Sequence, residues 1–272
     1  MRVAVCQMRS GDDVEANLAE ARRLLIEAAD GGADLAVLPE LFAYLGPRSR
    51  VPEVAEELPD GPVAGALAAV ASERSMWVLG GSVHERAGDR IFNTAPLFDR
   101  TGELVARYRK IHLFDVDLDG QPPFRESALF GEGTELVTHE VEDVRVGLSI
   151  CYDLRFPELF RGLMALGAEL LAIPAQFQHR TGVAHWEVLL RARAIEEQCF
   201  VAAAAQWGEF GPPEERRRSY GHSMVVGPWG DVLIEGPEEG SGVHVAEVDL
   251  AELRRVRSVL PALEHRRLGL SC

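Results

Sequence analysis

The sequence predicts an α/β protein in four layers, α-β-β-α, and three observations carry the prediction. Short apolar runs alternate with stretches of helical spacing. Four segments recur in the same order: "RVAVCQ" at 2–7 as "RVGLSI" at 145–150, "GADLAVLPELF" at 32–42 as "GAELLAIPAQF" at 167–177, "MWVLGGSV" at 76–83 as "CFVAAAAQ" at 199–206, and "NTAPLFDRTGELV" at 93–105 as "HSMVVGPWGDVL" at 222–233. No linker parts the two related halves, roughly 1–113 and 141–236, so a single domain over residues 1–272 is expected. Two sheets pack face to face in it, with helices outside.

The elements follow in order. Residues 3–8 read as a strand. Val14, Leu18, Ala21, Leu25 and Ala28 then form a helical stripe that Gly31 and Gly32 end. Residues 35–38 are a strand, and Asp60-Gly61-Pro62 starts a helix that turns Val63, Leu67 and Val70 inward. Residues 76–83 form one strand, and 91–113 a hairpin turning at Arg100-Thr101-Gly102. A long irregular stretch, 115–133, follows, and loops of that length in compact domains are usually functional. The pattern then restarts, with Leu159, Leu163 and Leu166 on one side of a helix. A final strand from 243, a short helix and an Arg- and Leu-rich tail close the chain.

Bulk properties narrow the function. A net charge of −15 argues against nucleic-acid or membrane surfaces, which need basic patches. The basic clusters "EERRRSY" at 214–220 and "EHRR" at 264–267 read as solvated faces or local salt bridges. Apolar content of 47% supports a large core, no run reaches the roughly 20 residues of a membrane span, and the N-terminus reads as a first strand rather than a secretory signal. Cys6, Cys151, Cys199 and Cys272 form no CxxC pair, which suggests reduced thiols in the cytoplasm. Cys6 and Cys199 read as small core residues. The eight histidines show no HxxxH or HxH spacing, so neither a metal nor another cofactor is expected.

"VGLSICYDLRFPELF" places Cys151 directly after an apolar strand and before a helix. Such a turn presents a side chain beside exposed backbone N–H groups, as in a nucleophile elbow, although G-x-S-x-G is absent. Position alone leaves Cys151 open between a reactive and a buried role. A reactive thiol needs a base or a cation nearby, and no histidine is singled out. Glu40, in "LPELF", and Lys110, in "ARYRKIHLF", lie at strand ends corresponding to that of Cys151, so carboxylate, ammonium and thiol can meet. Lys110 would favour the thiolate, and Glu40 would take the proton. A structural Glu–Lys pair beside a buried cysteine is the other reading.

The three motifs "LPELF", "YRKIHLFDVD" and "CYDLRFPEL" together resemble the nitrilase superfamily of carbon–nitrogen hydrolases, along essentially the whole chain. The resemblance implies the α-β-β-α sandwich and a Glu-Lys-Cys triad: Glu40 as general base, Lys110 as oxyanion stabiliser, Cys151 as nucleophile. The backbone N–H of Tyr152 would complete the oxyanion hole, and Glu126, in "PPFRES", matches a second glutamate. "HWEVLLRARAIEEQCFVAAAAQ" and "SYGHSMVVGPWG" resemble the branch that hydrolyses deaminated glutathione, with ω-amidase as its sister; Val183 stands where both branches typically carry proline. By the same resemblance Arg155, Phe177 and Thr181 line the acyl pocket, Arg155 facing a carboxylate. A small-molecule amide is the expected substrate. The same resemblance implies a homodimer or higher homo-oligomer, with Leu159, Leu163, Leu189 and Leu190 supplying the apolar surface.

Overall fold

The structure is a computed structural model and describes residues 1–117, 123–211 and 216–268. Cys272, Gly120, Pro122 and the two glutamates of "EERRRSY" lie outside the described residues.

The first half runs β1 (Arg2–Gln7), α1 (Val14–Asp30), β2 (Leu35–Val37), α2 (Val51–Val54), α3 (Pro62–Arg74), β3 (Trp77–Leu79), β4 (Val83–Ala87), β5 (Arg90–Phe98) and β6 (Leu104–Arg109). A two-residue pairing, β7 (Asp115–Val116) with β8 (Phe124–Arg125), lies in the long connection. The second half runs β9 (Thr138–Val141), β10 (Val144–Leu148), α4 (Pro157–Ala165), β11 (Leu170–Ala172), α5 (His179–Glu197), β12 (Phe200–Ala203), β13 (Trp207–Phe210), β14 (Arg217–Tyr220), β15 (Met224–Val226) and β16 (Val232–Glu235). β17 (Gly242–Glu247) and α6 (Leu250–Val259) follow.

The repeat read from the sequence is a repeat of topology. In the first sheet β1, β2 and β3 are parallel, β5 is antiparallel to β3, and β6 to β5. In the second, β10, β11 and β12 are parallel, β15 is antiparallel to β12, and β16 to β15. Both hairpins slip register, at Leu97/Phe98 and at Val225/Val226. An antiparallel strand flanks each first strand: β9 beside β10, and β17, from the far end of the chain, beside β1.

Alternation along β1 sets the layers, because successive side chains point to opposite faces. Val3 and Val5 join Val146, Leu148 and Leu170 of the second sheet in one core, while Ala4 and Cys6 pack with Leu24 and Leu25 of α1 and Leu67 of α3. α4 and α5 contribute Leu163 and Leu190 beyond the second sheet. The order is therefore α1/α3, first sheet, second sheet, α4/α5. Among the described residues no helix is long and apolar enough to cross a membrane.

Several expectations are corrected. Residues 76–83 are not one strand: the run breaks after Leu79, and β4 starts at Val83 to pair with β5. Gly81 has φ +52, and a Cβ there would sit 2.0 Å from the Pro39 carbonyl oxygen, so glycine is required at the break. Leu166 is the cap of α4, 47% exposed, rather than part of its buried face. Leu159, Leu163 and Leu190 are core residues and offer no apolar surface. Cys199 is a bend residue just before β12; it and Cys6 are fully buried, and burial pushes the Cys6 thiol up to about 12.

Candidate active site

Three loops converge where the parallel strands of both sheets end. In the first, β2 runs through Leu38 and Pro39 to Glu40, and Leu41 takes the left-handed conformation, φ 53, with its N–H donating to Ser82 Oγ at 3.0 Å. In the second, β6 delivers Lys110, whose backbone N–H donates to the Asn93 carbonyl at 2.9 Å. In the third, β10 ends and Cys151 opens a 3-10 helix, Cys151–Arg155, at φ 47. A left-handed cysteine costs on the order of 1–3 kcal/mol and persists only where its surroundings over-determine it. Here the Cys151 N–H donates to the Pro174 carbonyl at 2.9 Å, and the Ile150 N–H to Asp153 Oδ2 at 2.9 Å.

The polar centre is buried: Glu40, Lys110 and Glu126 are nearly inaccessible to solvent, and Cys151 is 7% exposed. Lys110 Nζ donates to Glu40 Oε1 at 2.8 Å and to both Glu126 oxygens at 3.0 and 2.9 Å. The backbone N–H of Gln176 donates to Glu40 Oε2 at 2.8 Å, and that of Phe114 to Glu126 Oε2 at 2.6 Å. Asn93 Nδ2 bridges the carboxylates, donating to Glu40 at 2.9 Å and to Glu126 at 3.1 Å. The two acids fix its amide orientation, since only the NH2 end can face them.

Two carboxylates against one ammonium set the charge balance. Burial alone would lower the Lys110 pKa, but the Glu126 and Glu40 charges override it and hold it well above its usual value. Burial, reinforced by the charge of Glu40 and by a hydrogen bond to it, pushes the Cys151 thiol well above its ordinary range, against the pull of Lys110. Lys110 pulls towards the thiolate, as the sequence reading expects, and burial together with the charge of Glu40 outweighs that pull. The thiol keeps its proton and has Glu40 as an adjacent acceptor.

Asp153, fully buried, ties the loops together. Tyr108 Oη donates to its Oδ2 at 2.7 Å, and the His112 backbone N–H reaches Oδ1 at 3.1 Å, so the segment carrying Lys110 is bound to the turn carrying Cys151.

A cavity of about 210 Å3 opens over these groups, lined by Glu40, Lys110, Glu126 and Cys151, and also by Tyr152, Arg155, Phe177 and Thr181. The structure thus brings together every site residue read from the sequence. Tyr152 is in the first turn of its helix, where backbone N–H groups have no intrahelical acceptor. Arg155 pairs with neither Asp153 nor Glu158. One N–H points to His185 Nδ1 at 3.1 Å, which makes that nitrogen the acceptor, and its Cζ lies 5.1 Å from the Phe177 ring centre. Phe177 packs on Trp186, ring centres 5.0 Å apart, so it is wall and core at once. Thr181 Oγ1 donates to the Gln178 carbonyl at 3.1 Å. His84, also in the wall, is held neutral by burial, its pKa lowered to about 4.

Sequence reasoning missed Asn93, Asp153, Arg48 and Arg217. Asn93 did carry a signal, a polar residue within the strand "RIFNTAPLF", whose positions after Arg90 are all buried. The sequence reading places Arg217 in a solvated basic cluster. Its neighbours fit that assignment, Arg216 pairing with Glu209 and Arg218 with Glu238 and Glu239, but Arg217 lines the cavity.

A buried carboxylate–ammonium–thiol cluster lies under a small cavity, on two stacked sheets with helices outside. The carbon–nitrogen hydrolase family model matches residues 2–258, and the chain belongs to that family. It is an enzyme that hydrolyses carbon–nitrogen bonds. The chain is 45% identical to deaminated glutathione amidase of Bos taurus, over 98% of this chain and 82% of that one. It is 38% identical to omega-amidase NIT2 of Homo sapiens, over 99% and 96%. Among solved structures, an amidase mutant from Nesterenkonia sp. AN1, showing the result of Michael addition of acrylamide at its active site cysteine, superposes with a TM-score of 0.80 at 28% identity, covering 97% of this chain and 99% of that one.

Proposed function

We propose that the protein is an amidase working through a Cys151 thioester, with deaminated glutathione as its substrate. The observation that carries this reading is the shared cation: Lys110 Nζ is held by Glu40 and Glu126 at 2.8–3.0 Å beside a thiol hydrogen-bonded to Glu40. Cys151 Sγ attacks the amide carbonyl as Glu40 takes the thiol proton. Lys110 and the Tyr152 N–H hold the tetrahedral oxyanion, each such donor contributing about 3 kcal/mol. Glu40 returns the proton to the departing amine as the C–N bond breaks, leaving an acyl thioester. Water then attacks, Glu40 accepting its proton and returning one to the thiolate. Glu126 keeps Lys110 charged and in place while Glu40 is protonated.

The acyl group is a 2-oxoglutaryl unit with a free carboxylate. Arg155, in the cavity wall, supplies a guanidinium that no carboxylate among the described residues pairs with. Phe177 and Thr181 border it.

Intact-mass spectrometry during turnover tests the chemistry. A 2-oxoglutaryl adduct is expected on the wild type and none on Cys151→Ala. An adduct on Cys151→Ala, or wild-type turnover by that variant, ends the proposal. Comparing kcat/KM on deaminated glutathione, 2-oxoglutaramate and a simple aliphatic amide assigns the substrate; a preference for 2-oxoglutaramate would make the enzyme an omega-amidase.

The chain as one domain acting as a dimer is part of the same proposal. Leu166, Val183, Val188 and Ile195 are exposed on or beside α4 and α5 and supply the apolar surface. Sedimentation showing only a 29.8 kDa species would sink the dimer. Free thiols at Cys6, Cys151 and Cys199 support a reducing compartment such as the cytoplasm.

A further inference from the structure

Among the described residues the cavity wall carries three arginines, and the acyl side uses one. Arg48, on a 3-10 turn before α2, and Arg217, at the start of β14, also line it. Both hold their guanidinium against one ring: Arg48 Cζ lies 4.0 Å from the centre of Phe124, and Arg217 Cζ 4.3 Å. Phe124 stands two residues before Glu126, so the strand that delivers Glu126 to Lys110 also gathers two cations from distant parts of the chain. Cation–π stacking holds each in place but does not cancel their mutual repulsion. Among the described residues no carboxylate is within ion-pair distance of Arg48, which donates to the Arg125 carbonyl at 2.9 Å. In a chain of net charge −15, the described part of the wall gathers the side chains of Arg48, Lys110, Arg155 and Arg217 beside those of Glu40 and Glu126. Such a wall attracts anions.

We propose that Arg48 and Arg217 form an anion subsite for a carboxylate carried by the amine leaving group. The cavity then reads its substrate at both ends, Arg155 binding the acyl carboxylate and the Arg48–Arg217 pair the carboxylate of the departing amino acid or dipeptide. Guanidinium suits this task because its planar fork binds carboxylate bidentately while its face rests on an aromatic ring. This deepens the reading above and rests on cleavage by Cys151. It makes the enzyme selective for amides of amino acids or small peptides with a free C-terminus over amides that release ammonia. The pair acts on acylation only, because the acyl-enzyme no longer carries the leaving group.

The test uses 2-oxoglutaryl-cysteinylglycine and the same compound with its C-terminus as a carboxamide. Wild type is expected to prefer the free acid at least tenfold in kcat/KM, mostly through KM. The preference should fall below threefold in Arg48→Met and in Arg217→Met, and return in part with lysine at either position. The readout is a ratio on one protein sample, so loss of folded enzyme cancels. A wild-type ratio near one, or an unchanged ratio in both methionine variants, overturns the subsite. If 2-oxoglutaryl compounds are not cleaved but amides of another acyl group are, the acyl-side reading fails alone. The acid-to-carboxamide ratio on that other acyl group then decides the subsite.

Discussion

The strand and turn of residues 32–42 and their copy at 167–177 match in backbone detail up to the proline and then part. Asp34 N–H donates to the Arg2 carbonyl and Glu169 N–H to that of Arg145; Leu38 N–H reaches the Leu79 carbonyl and Ile173 N–H that of Ala202. Asp34 Oδ2 accepts from the Arg2 N–H at 2.8 Å, and Glu169 Oε2 from the Arg145 N–H at 3.1 Å. After Pro174 the second copy stays in register, Ala175 N–H donating to the Ala204 carbonyl at 2.8 Å. After Pro39 the first copy leaves the sheet through left-handed Leu41. The neighbours decide the difference: the first copy lies beside Gly80-Gly81, where β3 has ended, and the second beside Ala203-Ala204. A fold that builds its scaffold twice makes one buried carboxylate–ammonium–thiol cluster, the proposed reactive centre, by ending one strand early. The copy without the acid still serves it, since the Gln176 N–H donates to Glu40.

The largest expected effect comes from the group the two copies jointly serve. Cys151→Ala should cut kcat by roughly 10^5-fold or more on the proposed mechanism, with a circular-dichroism spectrum like wild type, because the lost atom is one sulfur. Glu40→Ala makes the first copy chemically like the second. It removes the proton acceptor and should cost on the order of 10^3-fold in kcat; activity within tenfold of wild type would mean that the comparison misplaces the base. Gly81→Ala makes the neighbouring strand resemble the second half. With the new Cβ built 2.0 Å from the Pro39 oxygen, the turn must shift, and a displacement of about 1 Å at Glu40 should lower kcat about 10^2-fold. Calorimetry should show a lower Tm for the same variant.

The smallest effect tests β4, which among the described residues has no counterpart within the second sheet. His84 on β4 is buried between Tyr44 and Phe130, ring centres 5.8 and 5.6 Å away, and its folded pKa of about 4 is below the ordinary 6.5. The folded state resists protonation, so this contribution is full above pH 6.5 and is lost as pH falls towards 4, by roughly 3 kcal/mol. Urea titrations from pH 7 to 4 should show a shallower loss for His84→Phe; an unchanged acid limb would contradict a neutral buried histidine.

How much of this was legible depends on the physics each residue obeys. The two halves were readable because burial on both faces imposes apolar runs that survive as repeats. The convergence of Glu40, Lys110 and Cys151 was readable because strand ends are sequence-local. Asn93 and Asp153 act across the gap between elements, and nothing in their own neighbourhood states what faces them. The same limit explains Leu159, Leu163 and Leu190: helical spacing gives a side, not what covers it. Arg217 lies between two surface arginines in the chain, and only the strand alternation of β14 separates its direction from theirs. The upward shift of the Cys151 thiol follows first from burial and then from the charge of Glu40, and burial is a property of the packed fold rather than of the residues around position 151.

One feature bears on how the molecule is made. β17 pairs with β1 along the whole of that strand, Arg2 opposite Glu247 and Gln7 opposite Gly242, and the Val248 N–H returns to the Met1 carbonyl. During synthesis the flank of β1 therefore stays open until residue 247 has left the ribosome, whereas β10 meets its flanking strand, β9, as it emerges. The nascent first sheet carries an apolar edge that invites pairing with other chains. Chaperone dependence of the newborn chain should therefore end late, with emergence of the last strand.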